Sequence, residues 1–66
     1  MSIFSERLKQ LRCDKNLSHR ELANILTVSN STISRWENGK RIPNIDEIAK
    51  LARFFNVTTD YLIGLE

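Results

Sequence analysis

The sequence predicts an all-α domain of five short helices, on three observations. Apolar residues recur at intervals of three and four in separate stretches, as on the buried stripe of a helix. Ser18, Ser29, Asn44 and Thr58 each stand just ahead of such a stretch, where a side-chain oxygen can accept from an unpaired amide of the first turn. No segment carries the pattern of a strand. Sixty-six residues suffice for one domain. At that size only about 60% of the unfolded chain's surface is buried, so the core is small and the stability marginal.

The first helix is placed over about residues 3–15, where Phe4, Leu8 and Leu11 recur at four and three with charged residues between them. Arg12 falls at the margin of that stripe, so its stem can pack inward while its guanidinium seeks a carboxylate. Cys13 faces water, and Asn16 supplies the stop. A second helix, about 18–26, opens on the capping box Ser18-His19-Arg20-Glu21. Leu22, Ala23 and Leu26 form its buried side; the small Ala23 lets another helix approach, and Ile25 falls off that side. Thr27-Val28-Ser29 then joins it to the next helix in three residues, a length suited to two helices crossing steeply.

The third helix, about 29–38, has two unlike faces. At about 100° per residue Asn30, Ser31, Ser34 and Arg35 share one side, while Ile33 and Trp36 point the other way, into a core. One side packs and the other is free to read a partner. Ser29 caps its start, and Gly39 can take the left-handed conformation that ends it. Lys40-Arg41-Ile42-Pro43 follows as a basic loop through which no helix continues, because Pro43 forbids it. Asn44 and Glu47 repeat the capping box for a fourth, mostly buried helix, about 44–55, with Ile45, Ile48, Ala49, Leu51, Ala52 and Phe55 at helical spacing. Asn56-Val57 breaks the pattern, Thr58 caps a last helix at about 58–63, and Tyr61, Leu62 and Ile63 are expected to close the core before Gly64.

The net charge of +2 is modest, but its placement is informative. Between Ser29 and Pro43, Arg35, Lys40 and Arg41 stand against Glu37 alone, and the rest of the chain is balanced. The whole excess surrounds the third helix. A solvated charged face is the plain alternative. The polar side chains on that helix nevertheless suit the major groove of DNA: arginine can hold guanine O6 and N7 together, asparagine adenine N6 and N7, and serine either base. Other classes are poorly served. The single cysteine, Cys13, cannot form an internal disulfide, and with His19 it provides too few ligands for a zinc site. No nucleophile–base pair or carboxylate cluster points to an enzyme, a cofactor or a small-molecule ligand. No apolar run approaches the ~18 residues needed to cross a bilayer, and MSIFSERLKQLR lacks the apolar block of a signal peptide, so a cytoplasmic protein is expected.

The stretch ELANILTVSNSTISRWENGKRIPNIDEIAKLARFFNVTTDYLIG resembles the phage repressor and Cro type of helix-turn-helix domain, also called the xenobiotic-response-element family. The similarity runs from about Phe4 to Gly64. It is carried, in order, by Leu22, Ala23 and Leu26, by Val28 and Ser29, by Ile33, by Trp36-Glu37-Asn38-Gly39, and by Thr59-Asp60-Tyr61-Leu62-Ile63-Gly64. This resemblance implies a lambda-repressor-like fold whose second and third helices form the helix-turn-helix. It implies a sequence-specific regulator of transcription, a repressor, that binds a near-palindromic double-stranded DNA operator as a homodimer.

Site by site, the resemblance implies base-edge contacts from Asn30, Ser31 and Arg35, with Ser34 at the edge of the groove. Backbone contacts are implied for Ser29, Asn38 and Lys40, with His19 and Arg41 as further candidates. Thr32 is open between a contact to phosphate or a thymine methyl and a structural role, and Trp36 matches a core position. An ion pair between Arg12 and Glu37 would join the first helix to the end of the third, and Phe55, Val57, Thr59 and Ile63 are expected around the dimer contact. Two residues depart from the family's pattern. Thr27 replaces a usual glycine in the turn, where a β-branched residue at positive φ is strained, and His19 replaces a glutamine that commonly meets a phosphate. A protein-interaction module such as an antitoxin or anti-repressor is the alternative, but Arg35, Lys40 and Arg41 without an intervening acidic patch favour DNA.

Overall fold

The computed structural model describes residues 2–66 as five helices, α1 (Ile3–Asp14), α2 (His19–Leu26), α3 (Asn30–Glu37), α4 (Ile45–Phe55) and α5 (Thr59–Ile63), with no strand among the described residues. Each expected element is present, with ends shifted by at most one residue. The capping residues explain most of the shift, since they stand half outside the helices they start. Ser2, Ser18, Ser29, Asn44 and Thr58 each accept from the amide three residues on, and Glu21 and Glu47 complete capping boxes by accepting from the Ser18 and Asn44 amides at 2.9 and 2.8 Å.

The five ends also share one device. After each helix a residue turns left-handed, namely Asn16, Thr27, Gly39, Asn56 and Gly64. The next amide then reaches back five residues: Leu17 to Arg12, Val28 to Ala23, Lys40 to Arg35, Val57 to Ala52 and Leu65 to Asp60, at 2.7 to 3.1 Å. This pairing satisfies carbonyls that the helix leaves open and turns the chain sharply. Glycine takes the left-handed region without cost and asparagine tolerates it. Thr27 does neither, and it sits there at φ 60°, ψ 43°, so the expected strain is present at the helix-turn-helix corner.

Leu8, Leu22, Ile33, Trp36, Leu51 and Leu62 are essentially inaccessible, and Phe4, Ala23, Leu26, Ala52 and Phe55 complete the core. Trp36 meets Phe4 edge to face at 6.4 Å, and the buried Ser5 hydroxyl donates to the Trp36 carbonyl at 2.6 Å, which ties α1 to the end of α3. Arg7 of α1 stacks its guanidinium 4.2 Å from the Tyr61 ring and donates to the Tyr61 carbonyl, which ties α1 to α5.

Two burial expectations and one site expectation need correction. Ile45 is 83% exposed, because it is the first residue of α4 and lies beyond the core that Leu51, Ala52 and Phe55 enter; α4 is therefore buried mainly along its C-terminal half. Ile63 is 40% exposed and Tyr61 half-buried, so Leu62 closes the core at α5. Phe55 is core, which removes it from the surface proposed for a dimer contact.

Candidate nucleic-acid interface

Burying Ile33 and Trp36 decides what α3 shows to water. Asn30, Ser31 and Arg35 are exposed and Ser34 is half-buried. Together with Ser29, Asn38, Lys40 and His19 they line one open depression, so eight of the ten residues expected at a DNA contact come together. Their hydroxyls and amides are loosely linked: Ser29 Oγ lies 3.1 Å from Ser31 Oγ, and the Asn38 amide donates to Ser34 Oγ at 3.3 Å.

Thr32 and Arg41 stand apart. Thr32 is buried, with its hydroxyl 2.7 Å from Ser29 Oγ and accepting from Arg41 Nη1 at 3.4 Å. These bonds fasten the cap of α3 to the basic loop. Arg41 is exposed but borders a neighbouring apolar groove with Phe4, Ile42, Pro43, Ile48 and Ile63.

Beneath the depression lies a partly buried ionic network. Arg12 donates from Nε to Glu37 Oε2 at 2.6 Å and from Nη2 to Oε1 at 3.1 Å, while its Nη1 donates to the Leu17 carbonyl at 2.7 Å. The paired side chains are 13% and 4% exposed. Hydrogen bonding to Glu37 raises the Arg12 pKa against the opposing effect of its burial. His19 Nε2 stands 3.1 Å from Glu37 Oε1, with 39% of its side chain exposed, and so connects this network to the depression. Nothing in the spacing of residues 12, 19 and 37 indicates the third member. Their convergence depends on how steeply α2 crosses α3.

The network also alters the charge of the face. Glu37, the acidic residue of the segment, is turned inward and matched by Arg12, so it offsets none of the charge of Arg35, Lys40 and Arg41. Arg35 and Lys40 therefore border neutral hydrogen-bonding groups with no outward carboxylate from α3 beside them. Among the described residues no group of three or more His, Cys, Asp or Glu could hold a metal ion, and no helix is long and apolar enough to cross a membrane. Of the residues expected at a dimer contact, Val57 is half-buried and Thr59 and Ile63 are exposed.

Comparison with known proteins bears on this geometry. The chain is 46% identical over 63 residues to the HTH-type transcriptional activator BcrR of Enterococcus faecalis, covering 96% of this chain and 31% of BcrR. It is 37% identical over 61 residues to the HTH-type transcriptional regulator ImmR of Bacillus subtilis, covering 92% of this chain and 48% of that protein. It thus spans less than half the length of either. Among solved structures it superposes on the P22 c2 repressor in complex with a synthetic operator with a TM-score of 0.90 and 26% identity, over the full length of both chains. The hydroxypropylphosphonic acid epoxidase of S. wedmorenis also contains the fold, with a TM-score of 0.84 and 25% identity over 94% of this chain but 33% of that enzyme. The curated relatives described here are regulators of transcription. With the helix-turn-helix family profile matching residues 8–62, the chain belongs to the Cro and phage-repressor type of that family.

Proposed function

We propose that this chain binds double-stranded DNA sequence-specifically, laying α3 in the major groove, and regulates transcription by occupying an operator. The observation that carries the reading is the depression itself: Asn30, Ser31, Ser34 and Arg35 at its centre, Ser29, His19, Asn38 and Lys40 around them, and no outward carboxylate from α3. Arg35 suits guanine and Asn30 suits adenine, with the serines adaptable to either. The caps and Lys40 suit phosphates, because they present backbone amides or a mobile ammonium rather than a planar fork.

One such module touches few base pairs. A homodimer on a near-palindromic operator, with half-sites about 34 to 36 Å apart, multiplies that contact. Val57, Thr59 and Ile63 are the residues proposed to meet across the two-fold axis. Action as a repressor, by excluding polymerase or another regulator, is supported by the likeness to the P22 c2 repressor. Selection of bound sequences from a pool of random duplexes tests the reading. A recovered motif with two-fold symmetry is expected, and recovery of no preferred sequence would leave the interaction-module reading in its place.

A further inference from the structure

We infer that DNA binding by this chain takes up a proton at His19, whose imidazole meets a backbone phosphate in its cationic form because Glu37 holds the other ring nitrogen. The inference rests on the DNA-binding reading and deepens it. His19 is the first residue of α2, and its ring lines the depression beside Ser29, Asn38 and Lys40. Its Nε2 lies 3.1 Å from a carboxylate that is 4% exposed and already receives Arg12 on both oxygens. An ionised carboxylate accepts and cannot donate, so Nε2 carries the hydrogen. A neutral imidazole has one such hydrogen, which leaves Nδ1 a bare acceptor.

A phosphate oxygen is an acceptor as well. Brought to Nδ1 of the neutral ring it finds a lone pair opposite its own; a proton taken from solvent onto Nδ1 turns that nitrogen into a donor and adds a charge-assisted hydrogen bond. Turning Nε2 outward instead would withdraw a hydrogen bond from a buried carboxylate. The charged groups around the ring are Glu37 from α3, Arg12 of α1 behind it, and Arg35 and Lys40 on the other walls of the depression. On α2 itself Arg20 is exposed, and Glu21 is held by the Ser18 amide. Lysine and arginine ordinarily keep their charge between pH 5 and 8, and histidine is the side chain that ordinarily titrates there. Since the DNA-bound form holds the extra proton, affinity rises as pH falls.

A short duplex of mixed sequence serves as the probe, because a phosphate contact carries no base preference. With the untagged chain at fixed low salt, affinity should rise about five- to tenfold from pH 8 to pH 6, the lower end of typical coupling between two ligands. The log-affinity versus log-salt slope should steepen by about one per bound chain over the same interval. His19→Gln, which keeps a neutral donor, should lose most of the pH dependence. Because the chain has one histidine, the nitrogen-15 signals of its imidazole are unambiguous, and at pH 8 the free protein should carry the ring proton on Nε2. Binding that is flat between pH 8 and pH 6, full pH dependence in His19→Gln, or a ring proton on Nδ1 would each overturn the inference while leaving the DNA-binding reading intact. No binding to duplex at any pH would overturn both.

Discussion

Arg35 and Lys40 carry the same charge and border the same depression, yet they stand on different backbone. Arg35 projects from the exposed side of α3, one turn after Ser31, whereas Lys40 lies beyond the helix end in the basic loop. Arg35→Ala should cost about 1 to 3 kcal/mol on the matched operator and much less on operators already altered at its base pair. Lys40→Ala should weaken all sequences alike and lower the magnitude of the salt slope by about one. Titrations of matched and single-substituted operators across a salt series separate these outcomes; the reverse pattern would mean that α3 is oriented differently in the groove. Glu37 raises a stability question instead. Its removal leaves the half-buried Arg12 without its carboxylate, so Glu37→Ala should lose roughly 3 kcal/mol in denaturant unfolding, the lower end of the cost of breaking a buried pair, and removing Arg12 as well should restore part of the loss. An unchanged midpoint in Glu37→Ala would show that the pair contributes nothing to stability.

At the scale of elements, helices of 5 to 12 residues are too short to persist alone, so their caps and their packing carry them. The turn between α2 and α3 is the place where a local preference is overridden. Thr27 is held left-handed because the Val28 amide must reach the Ala23 carbonyl, so Thr27→Gly should relieve the β-branched strain and raise stability by about 1 kcal/mol, seen as a higher melting temperature. The start of α2 should respond to acid. Hydrogen bonds from the Ser18 amide, and next from its hydroxyl, hold the Glu21 carboxyl below its ordinary range. A folded-state pKa below the unfolded one contributes stability that is present above the ordinary glutamate range and lost as pH falls through the folded value. Glu21→Gln should therefore flatten the acid limb of the stability profile, and an unchanged limb would show that the box does not titrate with folding.

For the whole molecule, the exposed apolar groups have no internal explanation. Ile3, Ile25, Ile42, Ile45, Ile63 and Leu65 are each at least 40% exposed, and the groove edged by Ile42, Pro43, Ile48 and Ile63 lies next to the loop that carries Lys40 and Arg41. If two copies meet near α5, a substitution such as Ile63→Asp should leave the fold intact by circular dichroism while reducing affinity for a palindromic operator far more than for an isolated half-site. Equal losses on both would place the contact elsewhere.

The sequence by itself determined the five helices, the capping residues, and which face of α3 packs, because these depend on periodicity and on hydrogen bonds within a few residues. The repeats at Phe4, Leu8 and Leu11 and the boxes at Ser18 and Asn44 needed no knowledge of their neighbours. Tertiary structure decided what distance along the chain conceals. Ile45 and Ile63 fit the helical pattern yet remain outside, since a core this small ends before the pattern does. Phe55, expected both on the buried side of α4 and at the dimer contact, is taken by the interior. The contact of His19 with Glu37, 18 residues away, arises from the crossing of α2 over α3, a geometry that no local rule encodes.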